Sequence, residues 1–131
     1  MRITDDWLTA SRTQAVFTAL NDAGYRALAV GGCVRNALLG VPVSDIDLAT
    51  NATPDRVMDV AEAVGFKVVP TGIDHGTVTV ISDGTPYEIT TFRRDIDTDG
   101  RYATVAFSDD VTEDAARRDF TMNALYADAS G

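Results

Sequence analysis

The amino-acid sequence predicts an α/β (α+β) fold in which a mixed sheet of about five strands is flanked by helices. Two observations lead to this prediction. In the first half of the chain, short apolar segments typical of buried strands alternate with longer segments whose apolar residues recur at helical spacing. Two β-prone segments, 77–81 and 87–92, then flank the turn-forming residues 82–86, which predicts a hairpin.

The first half of the chain carries clear start and stop signals. Ser11 and Gln14 have capping-box spacing at the start of a helix over 11–23, and Gly24 is a natural stop. Residues 27–30 read as a short buried strand. The elements predicted next are a helix over 34–39, a strand over 45–50, and a helix that begins at Thr53-Pro54 and ends at Gly65.

The second half is predicted to be richer in strands. Its predicted elements are strands over 67–70, 77–81 and 87–92, a polar loop over 94–110 with a short strand over 103–107, a helix over 112–122 and a last strand over 124–127. Residues 94–110 are predicted to form a mobile loop because the segment contains several aspartates and a glycine.

Composition and charge restrict the class of protein. The 131 residues suffice for one domain with a sizeable core, and an apolar content of 45% is typical of a globular protein. A net charge of −9 argues against a general nucleic-acid clamp, which needs a basic surface. No apolar segment approaches membrane-spanning length, no secretory signal follows Met1, and Cys33 is the only cysteine. A cytoplasmic location is therefore expected.

Asp45 and Asp47 are the first candidate catalytic residues. On a strand, residues two apart point to the same face, so both carboxylates would lie side by side with Ile46 between them on the other face. Adjacent carboxylates repel each other unless a cation lies between them. Carboxylate oxygens suit Mg²⁺, so the pair predicts a magnesium site. The alternative is a turn followed by a surface aspartate, which is common in so acidic a chain.

Glu88 is the candidate third carboxylate. It interrupts the otherwise β-prone segment 87–92, and a glutamate in mid-strand beside a metal site would complete the coordination shell. The alternative is a solvent-facing glutamate on an edge strand. Which interpretation holds depends on how close its strand lies to Asp47.

Gly31 and Gly32 form a turn that opens the helix over 34–39. Glycines allow phosphate to approach the backbone closely, and Arg35 would add a charged, bidentate donor. A glycine pair alone marks many turns, so its interpretation as a triphosphate site depends on the carboxylates that follow. Cys33 has no histidine partner nearby, which argues against a nucleophile.

A second group of candidate nucleotide-binding residues lies near the end of the chain. On a helix, Asp119 and Asn123 share one face and offer an acceptor and an amide to sugar hydroxyls, while Arg118 offers a charge to phosphate. The alternative is a surface helix with an arginine–aspartate pairing, and this segment taken alone favours that alternative.

Four motifs together resemble the catalytic head of the tRNA nucleotidyltransferase (CCA-adding) and bacterial poly(A) polymerase family. The motifs, in order, are 28–40 (LAVGGCVRNALLG), 45–50 (DIDLAT), 87–93 (YEITTFR) and 117–124 (RRDFTMNA). From the first to the last they span residues 28–124, most of the chain. The resemblance departs at Asn36, where the family usually has aspartate.

The resemblance implies a polymerase-β-like nucleotidyltransferase head and assigns a role to each motif. It implies Asp45 and Asp47 as metal ligands and Gly32 and Arg35 at the triphosphate. It places Arg118, Asp119 and Asn123 around the nucleotide, with Asp119 near the ribose.

The activity implied by the resemblance is transfer of CMP and AMP from CTP and ATP to an RNA 3′ end by two-metal, Mg²⁺-dependent phosphoryl transfer, with the tRNA CCA end as the expected acceptor. Poly(A) polymerase and CC- or A-adding relatives share these motifs and stay open as alternatives. So does a module that binds Mg²⁺ and nucleotide with little activity of its own. Residues 1–131 are expected to form the head, without the family's neck, body and tail domains, which would make most of the contacts to tRNA.

Overall fold

A computed structural model of the chain describes residues 6–40, 43, 46–72, 76–98, 102–107, 111 and 126–128. The helices in these ranges are α1 Asp6–Thr9, α2 Ser11–Asp22, α3 Gly32–Leu39 and α4 Pro54–Ala63. The strands are β1 Ala27–Val30, β2 Asp47–Thr50, β3 Lys67–Gly72, β4 Thr77–Ser82, β5 Thr85–Thr91, β6 Arg93–Thr98, β7 Tyr102–Phe107 and β8 Tyr126–Ala127. The predicted mixed α/β class is confirmed.

Six strands form one sheet in the order β3-β4-β5-β2-β1-β8, and among the described strands β6 and β7 form a separate pair. Strands β2 and β5 run parallel, whereas the other neighbouring pairs are antiparallel. The main sheet is thus one strand larger than predicted, because the strand predicted near the end of the chain, β8, adds to its edge beside β1.

The hydrophobic core lies on one face of the sheet, where α2 and α4 contact each other and the central strands. The helices contribute the buried side chains of Val16, Phe17, Leu20, Val57 and Ala61, and the strands contribute Leu48, Val78, Val80 and Ile89. The hydroxyls of Thr13 and Tyr87 lie 2.6 Å apart within it, so these two buried polar groups satisfy each other.

The capping box predicted for the first long helix is wrong. Ala10, not Ser11, is the residue before the first turn of α2, and no side chain caps that turn. The side-chain amide of Gln14 instead donates to the carbonyl oxygen of Leu8 at 2.8 Å. The physical reason is that the chain enters α2 from the short helix α1, and Gln14 is used to join the two helices. The predicted start of α4, Thr53 followed by Pro54, is confirmed.

The hairpin predicted between β4 and β5 is confirmed, and its turn consists of Asp83 and Gly84. Their φ angles are 50° and 76°, and the flanking residues Ser82 and Thr85 pair directly. Two central residues with positive φ characterise the tight type I′ turn, whose twist matches that of the strands. A two-residue turn of this kind sets the register of the whole β4–β5 pair.

The mobile loop predicted over 94–110 is wrong for residues 94–98, which belong to β6, whereas the short strand predicted within it over 103–107 is confirmed as β7. Strands β6 and β7 pair from Arg93 with Phe107 to Thr98 with Tyr102. The β-prone residues 102–107 supply a partner for the polar residues 93–98, and backbone pairing in an antiparallel ribbon does not require apolar side chains on both strands. The predicted helix over 112–122 lies outside the described residues.

Within the described part of the chain, no helix is both long enough and apolar enough to cross a membrane.

Candidate functional site

The candidate site lies on the face of the sheet opposite α2 and α4. In the parallel pair of β2 and β5, Asp47 is the register partner of Glu88. Register partners on neighbouring strands point to the same face, and such strands lie about 4.8 Å apart. Two carboxylates from separate segments of the chain are therefore neighbours. This placement favours the interpretation of Glu88 as part of the Asp47 site, since β5 is an interior strand and not an edge strand.

The next residues along each strand explain why the carboxylates face away from the core. Leu48 and Ile89 are also register partners, and their exposed fractions are 0% and 1%. Because strand side chains alternate between faces, burial of this apolar pair under the helices forces Asp47 and Glu88 to the other side. Glu88 is exposed and Asp47 is half-buried.

A third polar side chain continues this row. Thr79 of β4 is the register partner of Glu88, and it is buried with 9% exposure. The sequence analysis did not single it out. Threonine and valine alternate over 77–80, which indicates that the threonines share one face of β4. The Asp83-Gly84 turn sets the register that pairs Thr79 with Glu88 on that face.

Asp45, predicted to share a strand face with Asp47, lies outside the described residues. The strand itself begins later than predicted, at Asp47, and Ile46 lies before it. Ile46 is buried, and its carbonyl oxygen accepts a hydrogen bond from the backbone N–H of Glu88 at 3.3 Å. The common orientation of Asp45 and Asp47 stays a prediction.

The same face has an apolar region beside the carboxylates. Its buried members are Leu28, Val30, Ala49 and Phe92, and the half-buried Val111 and Tyr126 pack against them. This second core covers the β1 side of the face. On the β5 side, Glu88 is exposed.

The Gly31-Gly32 turn lies at the end of β1, next to the start of β2. Gly31 has φ 75° and is the residue before the first turn of α3. The first bond of that helix runs from the N–H of Arg35 to the carbonyl oxygen of Gly31 at 3.0 Å. The amides that precede Arg35 have no carbonyl within the helix to bind, which is the general feature that lets a helix N-terminus bind an anion.

Cys33 connects this turn to the carboxylate strand. Its Sγ lies 3.4 Å from the carbonyl oxygen of Val30 and 3.8 Å from that of Asp47, both within reach of the thiol proton. Burial is the main cause that raises the pKa of the Cys33 thiol, which therefore stays protonated and can donate. A buried, protonated thiol agrees with the expectation that Cys33 is not a nucleophile.

Arg35 folds back along α3 toward the glycines. A Cβ atom placed on Gly32 would be 3.4 Å from Nη2 of Arg35, and Nε of Arg35 donates to Oδ1 of Asn36 at 3.2 Å. Helical side chains lean toward the helix N-terminus, which explains this direction. The end of the guanidinium therefore lies beside Gly32, the first residue of α3.

We expect the two glycines to respond differently to alanine. Gly31→Ala should lower the free energy of unfolding by about 1–3 kcal/mol, because a side chain is strained at its φ of 75° and ψ of −129°. Gly32→Ala should leave that free energy equal or slightly higher, since Gly32 lies within α3 and a Cβ there makes only ordinary contact. Urea denaturation of both variants measures the difference. Equal losses in the two variants would contradict this division of roles.

The remaining predicted site residues are not placed. Arg118, Asp119 and Asn123 lie outside the described residues. Among the residues that the structure describes, no three histidine, cysteine, aspartate or glutamate side chains come together as a metal site. The described pair of carboxylates, Asp47 and Glu88, offers hard oxygen ligands of the kind that Mg²⁺ prefers.

Comparison with known proteins shows where this fold and these motifs occur. The CCA-adding enzyme of Geobacillus thermodenitrificans (strain NG80-2) is 48% identical over 118 residues, which cover 88% of this chain and 28% of that protein. The enzyme of the same name from Oceanobacillus iheyensis (strain HTE831) is 47% identical over 131 residues, which cover 98% of this chain and 31% of that protein.

Solved structures of such enzymes share the fold. The Bacillus stearothermophilus CCA-adding enzyme in complex with CTP matches with a TM-score of 0.78 at 42% identity, over 92% of this chain and 28% of that one. A tRNA nucleotidyltransferase complexed with a primer tRNA and an incoming ATP analog matches with a TM-score of 0.63 at 29% identity, over 88% of this chain and 31% of that one. The chain spans less than a third of the length of these relatives.

The family model of the Poly A polymerase head domain matches residues 27–131. This range contains the Gly31-Gly32 turn and the carboxylates of Asp47 and Glu88. The described fold and the identity to curated relatives agree with that match. The chain therefore belongs to the Poly A polymerase head domain family.

Proposed function

We propose that this chain is the head of a cytoplasmic RNA nucleotidyltransferase that transfers CMP and AMP from CTP and ATP to the 3′ end of tRNA. The observation that carries the proposal is the register of β2 and β5, which brings Asp47 beside Glu88 on the exposed part of one sheet face. The names of the similar proteins supply the class of reaction.

We assign Asp45, Asp47 and Glu88 to the catalytic centre, with Asp45 and Asp47 as ligands of Mg²⁺. Like-charged neighbours on adjacent strands destabilise a protein unless a cation binds between them, so the Asp47–Glu88 pairing supports a cation site. A bound magnesium ion supplies charge neutralisation at the triphosphate and lowers the pKa of the attacking hydroxyl. Asp47 and Glu88 orient that chemistry because they lie on two hydrogen-bonded strands of a packed sheet.

The triphosphate is assigned to the N-terminal turn of α3. Gly31 and Gly32 leave the backbone amides open, and the partial positive charge of a helix N-terminus favours an anion there. Arg35 adds a full charge beside Gly32, the first residue of α3. The thiol of Cys33, beside this turn, lies within reach of the backbone carbonyl oxygens of Val30 and Asp47, so it links the end of β1 to the start of β2.

The contacts to the rest of the nucleotide are assigned from the sequence alone. Arg118 is proposed to bind phosphate, Asp119 the ribose, and Asn123 a further polar group of the nucleotide. These assignments depend on the motif 117–124, and residues 1–131 are proposed to act together as the head. Most contacts with the tRNA are proposed to come from other domains.

Experiment can distinguish two alternatives from this proposed activity. A poly(A) polymerase is favoured by the name of the matching family, whereas CCA addition is favoured by the names of the curated relatives. A module that only binds Mg²⁺ and nucleotide is the alternative outside the enzyme class. The contacts assigned to the triphosphate and the metal cannot distinguish the bases, so we expect ATP and CTP to bind this chain with similar affinity.

The test is a titration of the 131-residue chain with ATP and CTP in Mg²⁺, followed by extension of tRNA that lacks its CCA end. We expect metal-dependent binding of both nucleotides without strong preference, and slow, metal-dependent incorporation of labelled CMP. Binding without incorporation under single-turnover conditions would favour the binding module. Absence of metal-dependent nucleotide binding would refute the proposal, and repeated AMP addition without CMP would favour a poly(A) polymerase.

A further inference from the structure

We propose that the sheet surface between Glu88 and the β3 edge holds the 3′-terminal strand of the acceptor RNA, and that Lys67 of β3 binds one of its phosphates. This inference rests on the proposed function, because it needs the triphosphate at the start of α3 and the carboxylates at the place of transfer. It adds the position of the second substrate. Besides Glu88, this acceptor surface consists of Pro86 of β5, Thr79 and Ile81 of β4, and Lys67 and Val69 of β3.

Two rows of register partners carry the acceptor surface across β5, β4 and β3. The rows lie two residues apart on each strand, so both point to the same face of the sheet. The residue between the rows on β4 is Val80, which is buried in the core under the helices. Both rows therefore face away from the core, as the carboxylates do. In order from β5 to β3, the rows are Glu88, Thr79 and Val69, and Pro86, Ile81 and Lys67.

The position assigned to the triphosphate determines the side from which the acceptor strand must come. The Gly31-Gly32 turn follows β1, and β1 and β5 lie on opposite sides of β2 in the sheet. Glu88 is therefore farther from that turn than Asp47 is. In phosphoryl transfer the attacking and leaving oxygens lie roughly in line, on opposite sides of the transferred phosphorus. A pyrophosphate that leaves toward the turn thus requires a 3′ hydroxyl that arrives from the β5 side, over the acceptor surface.

Exposure along this face agrees with that direction. On β1 and β2 the face belongs to the second core, in which Leu28 and Ala49 are buried. On β5 and β3, in contrast, the side chains of Glu88, Pro86 and Lys67 are exposed. The exposed part of the described face therefore lies on the side of the carboxylates from which the acceptor hydroxyl has to come.

Lys67 supplies the positive charge that an RNA strand requires on this surface. It is exposed, and Glu88 is the only other charged member of the acceptor surface as defined. At ordinary strand spacing, β3 lies about 10 Å from β5. Because a stacked strand rises about 3.4 Å per nucleotide, Lys67 is placed to contact a phosphate a few nucleotides before the 3′ hydroxyl. One such contact positions a strand end, while most contacts to tRNA stay assigned to other domains.

The first test compares Lys67→Gln with Arg56→Gln in the 131-residue chain. Arg56 is the matched control, because it is an exposed cation on α4, which packs on the opposite face of the sheet. The measurements are the affinity for 5′-labelled tRNA that lacks its CCA end, over a range of salt concentrations, and the affinity for CTP in Mg²⁺.

We expect Lys67→Gln to weaken tRNA binding by about threefold to tenfold, the loss of one modest contact, and to leave CTP binding unchanged. The slope of log affinity against log salt concentration should become shallower by about 0.7, the value for one phosphate contact on a single strand. Lys67→Arg should keep the unsubstituted affinity and slope, since it retains the charge. Arg56→Gln should leave tRNA binding unchanged.

The second test locates the bound strand by crosslinking. Cys33 is the only cysteine and is 2% exposed, so a new surface cysteine can be labelled selectively with a photo-crosslinking reagent. We expect labelled Lys67→Cys to crosslink to nucleotides near the 3′ end of the tRNA, and labelled Arg56→Cys to give no crosslink there. Crosslinks from Lys67→Cys that map only to other parts of the tRNA would overturn the inference.

Other results would overturn the inference while the proposed function stands. Unchanged tRNA binding in Lys67→Gln is one, and an equal loss in Arg56→Gln is another, because it would show only an effect of net charge. A matching loss of CTP affinity in Lys67→Gln would assign this cation to the nucleotide instead. Undetectable tRNA binding by the unsubstituted chain, with normal CTP binding, would also refute the acceptor surface. If the unsubstituted chain binds no nucleotide in Mg²⁺, the proposed function fails, and this inference fails with it.

Discussion

Replacing Asp47 with alanine is expected to abolish nucleotide transfer while leaving the fold intact. Asp47 lies at the start of β2, on the face opposite the core, as the register partner of Glu88. Its removal takes away a proposed ligand of Mg²⁺, and a metal ion contributes several kcal/mol of charge stabilisation in the transition state. The free energy of unfolding should change by no more than about 1 kcal/mol, because Asp47 adds nothing to the apolar core.

The measurement is single-turnover incorporation of labelled CMP into tRNA, together with Mg²⁺-dependent binding of CTP. Asp59→Ala is the matched control, since Asp59 is an exposed carboxylate on α4. It should retain full activity. Glu88→Gln should show an intermediate loss, because an amide keeps an oxygen ligand but not the charge. An Asp47→Ala activity within tenfold of the unsubstituted chain would refute the metal assignment.

Replacing Leu48, the next residue, with alanine is expected to have the opposite effect. Leu48 has an exposed fraction of 0% and packs in the core beneath the helices, beside Ala29 and Ile89 on the neighbouring strands. Leucine-to-alanine changes in such positions cost about 2–5 kcal/mol, because the apolar contacts are lost and a cavity is left. Urea denaturation should show this loss, while CTP binding persists at temperatures at which the variant is still folded.

Leu39→Ala serves as the control for this change. Leu39 ends α3 with an exposed fraction of 62%, so the same substitution should alter the free energy of unfolding by no more than about 0.5 kcal/mol. A loss below about 1 kcal/mol for Leu48→Ala would show that β2 does not face the core as described. Adjacent residues of one strand would then have been assigned to the wrong faces.

Local patterns in the sequence were sufficient to predict many of the elements and part of the site. The strand over 27–30 is confirmed residue for residue, and the helix stop at Gly40 and the start at Thr53-Pro54 are confirmed as well. Glycine with positive φ and proline in a first helical turn act through the backbone of their own residue, so no distant contact is needed. Gly31, which has a positive φ and precedes α3, is another signal that acts through its own backbone.

Contacts between segments distant in the sequence determined the structure where the local patterns gave the wrong prediction. The segment 93–98 is polar and was predicted as a loop, but it forms a strand because residues 102–107 supply its backbone partners. Likewise, Ser11 and Gln14 match a capping box, but α1 precedes α2 and Gln14 bonds to Leu8. In both cases a contact outside the local sequence window changed the outcome.

The sequence by itself determined which residues are suited to the chemistry: carboxylates at 45, 47 and 88, a glycine pair, and an arginine one turn later. Only the tertiary structure decided which of them meet. Asp47 and Glu88 are far apart in the chain and become neighbours because β2 and β5 pair in parallel. Thr79 joins them through the hairpin register, and Asn36 faces Nε of Arg35 through side-chain packing. Residue type is a property of the chain, whereas register depends on hydrogen bonds and burial between segments that the local sequence does not connect.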